Sequence, residues 1–158
     1  MRLALYQPDI AQNTGTILRL GACLNIPVDV IGPTGFDMSD RALRRAGLDY
    51  LDHVDLTRHL SFEDFEADRR AHGRRLVLLS SHAAVAHTDF NFGAADVLLM
   101  GRESAGVPQH VHDRADARLR IPMRPGLRSL NIAVAAAIVV GEALRQTNGY
   151  PSTVPSEF

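Results

Sequence analysis

The chain predicts an α/β fold, a mainly parallel sheet flanked by helices, on three observations. Short apolar runs of strand length alternate with stretches of helical periodicity. Glycine and proline clusters punctuate the joins. The 158 residues are 46% hydrophobic and 22% charged, which suits one globular domain with a real core.

The elements follow in order. Arg2–Tyr6 reads as the first strand and breaks at Gln7-Pro8-Asp9. Thr14–Leu24 has helical spacing through Ile17, Leu18, Leu20, Gly21 and Leu24, with Asn13 or Thr14 as its cap. Val28–Ile31 is a second strand, closed by Gly32-Pro33-Thr34-Gly35. Ser39 or Asp40 caps a short basic helix through Ala46, with Gly47 as terminator. Leu51–Leu56 has room for a short strand. Ser61, with Asp64 three residues on, opens a charged helix to about Ala71, and Gly73 ends it. Arg75–Ser80 and Asp96–Met100 are strands, Pro108–Asp113 a helical turn, and Arg118–Ile121 the last strand. Leu130–Arg145 is a long helix capped by Ser129, and the tail 148–158 is expected to be loose. Neither a repeat nor a linker interrupts the pattern, so one domain over 1–158 is expected.

Composition excludes several classes. The longest apolar run, Ile132 to Gly141, is ten residues, against the roughly 20 that a membrane span needs. The opening apolar stretch is too short for an export signal. Cys23 is the only cysteine, so there is no internal disulfide and no cysteine zinc cluster, which fits the cytoplasm. The net charge is −1, yet every one of the seventeen basic residues is arginine. Arginine suits phosphate and base stacking, and biased codon usage explains it equally well. Seven histidines are present without HExxH-like spacing, so no metal is expected. There is no GxGxxG, P-loop or GxSxG motif, which removes the usual support for dinucleotide, nucleoside-triphosphate and hydrolase chemistry.

Three segments could carry chemistry, each at a strand's carboxyl edge or on the following helix, where open α/β sheets bind ligands. The first runs from Pro8 to Arg19 and turns a polar loop into a helix with an arginine about one turn in. An anion site of this kind is plausible physics, and an ordinary capped helix with a surface Arg19 explains the pattern as well. The second is Leu98 to Pro108, where a buried strand enters a loop holding Gly101, Arg102, Glu103 and Gly106. Glycine at a strand end permits close backbone approach to a ligand. The third is Ile121 to Asn131, ahead of a helix without a polar face, which must be buried on several sides, against a second subunit as well as its own sheet or as the central core helix of a monomer.

Taken together, in this order and spacing, the segments resemble the SPOUT superfamily of RNA 2′-O-methyltransferases. The match is closest to its TrmL (YibK-like) branch, which modifies the tRNA wobble nucleotide. The resemblance runs through Asn13-Thr14-Gly15, Leu43 to Tyr50, Gly101 to Pro108, Arg128-Ser129-Leu130-Asn131, Glu142 to Gln146 and Gly149-Tyr150-Pro151. It implies a C-terminal deep trefoil knot within about 76–147, and a homodimer around the terminal helices. S-adenosyl-L-methionine is the implied cofactor, held by Leu79, Gly101, Ile121 and Ser129. Arg19 matches the motif-one arginine that acts on the ribose hydroxyl or its neighbouring phosphate. A guanidinium stays protonated, so phosphate anchoring is the expected role rather than proton abstraction. Glu103 and Asn131 are expected to shape the site.

The implied substrate is the anticodon stem-loop of tRNA, met by Asn13, Arg41, Arg44, Arg45, Arg102, Arg124 and Arg128. For the three arginines at 41–45 a solvated helix face is an equal alternative. Arg102 replaces the family's usual proline after the motif glycine, and Gly141 replaces its usual tyrosine. Methylation of the wobble nucleotide of leucine tRNAs is the expected activity. A different tRNA or ribosomal RNA target, or a catalytically silent RNA-binding dimer of the same fold, remains open at this point.

Overall fold

The computed structural model describes residues 1–45 and 49–152. The expected helix end at Ala46 and Gly47, and the tail beyond 152, lie outside the described residues.

The strands are β1 (Arg2–Tyr6), β2 (Val28–Ile31), β3 (Leu56–His59), β4 (Leu76–Leu79), β5 (Val85–Ala86), β6 (Val97–Met100) and β7 (Ala117–Arg120). The helices are α1 (Ala11–Leu24), α2 (Asp40–Arg45), α3 (Phe62–Ala71), α4 (Gln109–Arg114) and α5 (Ile132–Thr147). The seven strands form one sheet in the order β3-β2-β1-β6-β4-β7-β5, every neighbouring pair parallel. β7 lies between β4 and β5, two strands that follow one another in the chain.

Both faces of the sheet are covered, which is why β1, β2, β4 and β6 are near-continuous apolar runs instead of alternating ones. Leu3, Leu5, Val28, Val30, Val77 and Leu98 face α1, α2 and α5. Ala4, Tyr6, Ile31, Leu76, Leu78 and Leu99 face α3 and α4. The buried side of α5 interposes Ala133, Ala136 and Ala143 among Val139, Val140 and Leu144. Small residues let α5 lie close against α1, while burying each valine or leucine is worth roughly 1.5–3 kcal/mol. A charge also enters the interior. Asp29 of β2 is 2% exposed and is matched by Arg2, Nε at 2.6 Å, and by His59 Nε2 at 2.9 Å.

Three expectations are corrected. α1 starts three residues early, at Ala11, after an Ile10 that makes no side-chain cap. Asn13 and Thr14 are therefore inside the first turn, and the Asn13 side chain is spent on tertiary bonds. α5 starts at Ile132, and its cap is Asn131 instead of Ser129: Asn131 Oδ1 accepts from the backbone N–H of Ala133 at 2.9 Å and of Val134 at 3.4 Å. The strand sought at 51–56 lies further on, at Leu56–His59, because its register with β2 pairs Val28 with Leu56; Leu51–His53 is a 3-10 turn. The Ser61 cap is present, its Oγ accepting from Asp64 N at 3.1 Å. The two-residue β5 was not anticipated; a run that short leaves no periodicity to read. No helix among the described residues is long and apolar enough to cross a membrane.

Candidate active site

The carboxyl ends of β4, β6 and β7 open into a cavity of about 660 Å³. Its size lies in the range that holds a cofactor-sized molecule. Leu79, Gly101, Ile121 and Ser129, the four residues expected to hold the methyl donor, all line it. The structure thus brings together positions separated by up to fifty residues of chain. Met100, Leu119, Leu130 and Ile132 add apolar wall, and Ser80 and His82 add polar groups; none of these was among the residues expected to hold the cofactor.

Gly101 is required by space. A Cβ there would lie 2.8 Å from both Cα and C of Gly106. The two backbones approach this closely because the 101–106 loop doubles back, Arg102 and Gly106 exchanging N–H···O bonds of 2.9 Å each. Gly106 itself has φ +63°, the left-handed conformation that closes the turn.

A chain of hydrogen bonds links all three segments at the cavity rim. Asn131 Nδ2 donates to Asn13 Oδ1 at 2.9 Å, and Asn13 Nδ2 donates to Glu103 Oε1 at 3.4 Å. Glu103 Oε2 accepts from the Asp9 backbone N–H at 3.3 Å, and Ser104 Oγ donates to the Asp9 carboxylate. Asp9 is held in place by the loop after β2, where Gly35 N donates to Pro8 O at 2.9 Å and a Cβ on Gly35 would meet Asp9 Cα at 2.9 Å. The two carboxyls share one environment and move apart in acidity. Hydrogen bonding to Glu103 and Ser104 holds Asp9 down to about 2. Burial, followed by the bond to Asp9, pushes Glu103 up. Asp9 was overlooked in the sequence because an acidic residue ahead of a helix is ordinary; only the fold sets it against Glu103.

The remaining candidates divide. Asn13, Arg102, Glu103 and Asn131 line the cavity. Arg19 is not among the lining residues; it is exposed on α1, its guanidinium 4.6 Å from the Tyr50 ring centre and bonded to the Tyr50 hydroxyl at 3.2 Å. Arg41, Arg44 and Arg45 lie on α2 away from the cavity, and Arg44 is paired with Asp52 at 2.6 Å. Arg124 and Arg128 are exposed on the loop between β7 and α5, flanking Met123 and Ser129 at the cavity edge. Among the described residues no group of three or more histidine, cysteine, aspartate or glutamate side chains is placed to hold a metal ion.

The chain is similar to known proteins over nearly its whole length. A protein of Ancylobacter novellus named tRNA (cytidine(34)-2'-O)-methyltransferase is 56% identical over 153 residues, 97% of each chain. A solved structure described as giving insight into 2-OH methylation of C/U34 on tRNA superposes with a TM-score of 0.84 at 43% identity, covering 92% of this chain and 94% of that one. The SpoU methyltransferase AviRb of Streptomyces viridochromogenes, solved with AdoMet bound, superposes with a TM-score of 0.79 at 28% identity over 92% of this chain and 60% of that one. The description of the SpoU rRNA Methylase family matches residues 1–141. The chain belongs to the SpoU methylase family.

Proposed function

We propose that this chain is an S-adenosylmethionine-dependent tRNA 2′-O-methyltransferase of the cytoplasm, acting on the ribose of the wobble nucleotide, cytidine or uridine at position 34. The convergence of Leu79, Gly101, Ile121 and Ser129 on one cavity carries the reading. Relatives named or described for that activity align over nearly the full length of both chains. The cavity suits the methyl donor: apolar wall for adenine, and a glycine where backbone must approach.

When bound, the cofactor supplies a methyl group already activated by its sulfonium. The protein's part is orientation, water exclusion and control of the ribose hydroxyl. Asn131, oriented by capping α5, fixes Asn13, and Asn13 fixes Glu103, so the polar rim is one pre-assembled unit. Arg19, outside the cavity lining and exposed on α1, is assigned to anchoring a substrate phosphate. Arg41, Arg45, Arg124 and Arg128 offer exposed cations for the anticodon stem-loop.

Two further features belong to the same reading. The C-terminal segment is threaded as a trefoil knot within about 76–147; the placement of β7 between β4 and the β5 that directly follows it is the supporting observation. The protein works as a homodimer through α5, whose Val134 and Ile138, spaced by one turn, remain 48% and 38% exposed, with Leu130 at 39% preceding them.

The test is nucleoside mass spectrometry of tRNA from cells lacking this protein. Selective loss of 2′-O-methylation at the wobble position of leucine tRNAs is expected, restored by the wild type and not by Arg19→Ala, which still folds. Unchanged wobble methylation in the deletion strain rejects the reading.

A further inference from the structure

A second, smaller cavity of about 240 Å³ lies against the first, lined by Tyr6, Arg102, Ala105, Gly106, Val107 and Pro108. Arg102 lines both. Its guanidinium carbon lies 5.8 Å from the Tyr6 ring centre, on the sheet face that carries α3 and α4.

Arg102 stands apart from the other arginine of the larger cavity. Arg120 is committed to structure, its Nη1 donating to the carbonyls of Ala83 at 3.1 Å and Ala84 at 2.8 Å. Arg102 Nε is buried without a hydrogen-bond partner among the described residues. Buried donors are almost always paired, and an exception calls for an explanation. The orphaned donor is the Nε–H of a half-buried side chain, so a fold that keeps it at the seam of two cavities gains by supplying it with an acceptor from a bound anion. Tyr6 completes the recess. Burial is the main influence on its phenol and pushes its acidity down, raising the pKa; nearby Arg102 works in the opposite direction, and Glu63 of α3 works with burial. The hydroxyl therefore stays a donor at neutral pH, on a residue that lines the same recess as Arg102.

The geometry points to Arg102 and Tyr6 as a phosphodiester subsite, which receives the phosphate flanking the nucleotide whose ribose enters the larger cavity. The inference rests on the proposed RNA substrate. The fork of a guanidinium matches two phosphate oxygens, and a phenol hydroxyl supplies a third donor. Arg102 thus fixes the register of the RNA backbone relative to the methyl donor.

The experiment measures tRNA affinity of the full chain across a salt series, and S-adenosylmethionine affinity of the same proteins without RNA by calorimetry. Arg102→Ala is expected to weaken tRNA binding about tenfold and to lower the slope of log affinity against log salt by about one phosphate's worth. Arg102→Lys is expected to keep the slope while losing part of the affinity, and Tyr6→Phe to weaken binding by roughly two- to tenfold without altering it. Cofactor affinity stays at the wild-type value in all three. An unchanged salt slope in Arg102→Ala overturns the subsite. So does a fall in cofactor affinity, which assigns the guanidinium to the cofactor's own carboxylate. A wild-type protein that binds neither tRNA nor cofactor overturns the functional reading itself, whereas methylation with an unchanged slope removes only Arg102.

Discussion

Replacing Gly101 by alanine tests the cavity at the point where space is least forgiving. The added Cβ would lie 2.8 Å from Cα and C of Gly106 and 3.1 Å from its oxygen. Carbon atoms rest about 3.5–4.0 Å apart, so the overlap is with backbone that has no rotamer to change. Relief requires opening the loop that two 2.9 Å bonds between Arg102 and Gly106 hold shut. Overpacking of this kind costs roughly 1–3 kcal/mol, which corresponds to a fall in melting temperature of roughly 2–12 °C for a chain of this size. Opening the loop also moves Glu103 and the backbone of the cavity wall, so S-adenosylmethionine affinity should fall about tenfold or more. Gly106→Ala is the matched control: nothing lies within 4 Å of its added Cβ, but φ is +63°. It should cost roughly 1–2 kcal/mol of stability through the left-handed backbone alone. Calorimetry and thermal unfolding of the pair decide the matter. A Gly101→Ala protein that melts and binds cofactor like the wild type refutes the steric reasoning.

Two other predictions concern the rim. Asn131→Ala removes the α5 cap and should cost about 1 kcal/mol, whereas Asn131→Asp keeps a capping oxygen but cannot donate to Asn13; the Asp variant should melt normally and methylate poorly, and full activity in it would detach Asn13 from the mechanism. Glu103→Gln tests the carboxyl pair. Burial raises Glu103, so its contribution to stability is present below its unfolded pKa and fades as pH rises through the raised value; Asp9, held down to about 2, stabilises above its own unfolded pKa and loses that only in strong acid. The Gln variant should therefore gain stability relative to wild type on the neutral side, and flatten the pH dependence of unfolding between mildly acid and neutral pH. An unchanged difference across that window would remove Glu103 as the titrating group.

Much of the fold was legible in the residues because β1 and β2 announce themselves as apolar runs between turn residues. The α3 start was equally legible, since the Ser61 cap is local chemistry. Helix starts at α1 and α5 were misplaced for a common reason. Each has polar residues that could cap, and what the side chains do depends on distant partners: Asn13 reaches Glu103 and Asn131, ninety and more residues away. β3 was displaced because a strand's limits follow its neighbour's register, which no local window contains.

The chain alone determined the alternation of strands and helices, the glycine-bearing loop after β6 and the motif residues, because these rest on spacing and on the conformational needs of single residues. Only the tertiary structure decided that Leu79, Gly101, Ile121 and Ser129 share a cavity, that Asp9 faces Glu103, and that Arg102 Nε has no hydrogen-bond partner among the described residues. Those facts depend on which strand ends lie side by side, as β7 does between β4 and β5, and no local window of sequence contains that order.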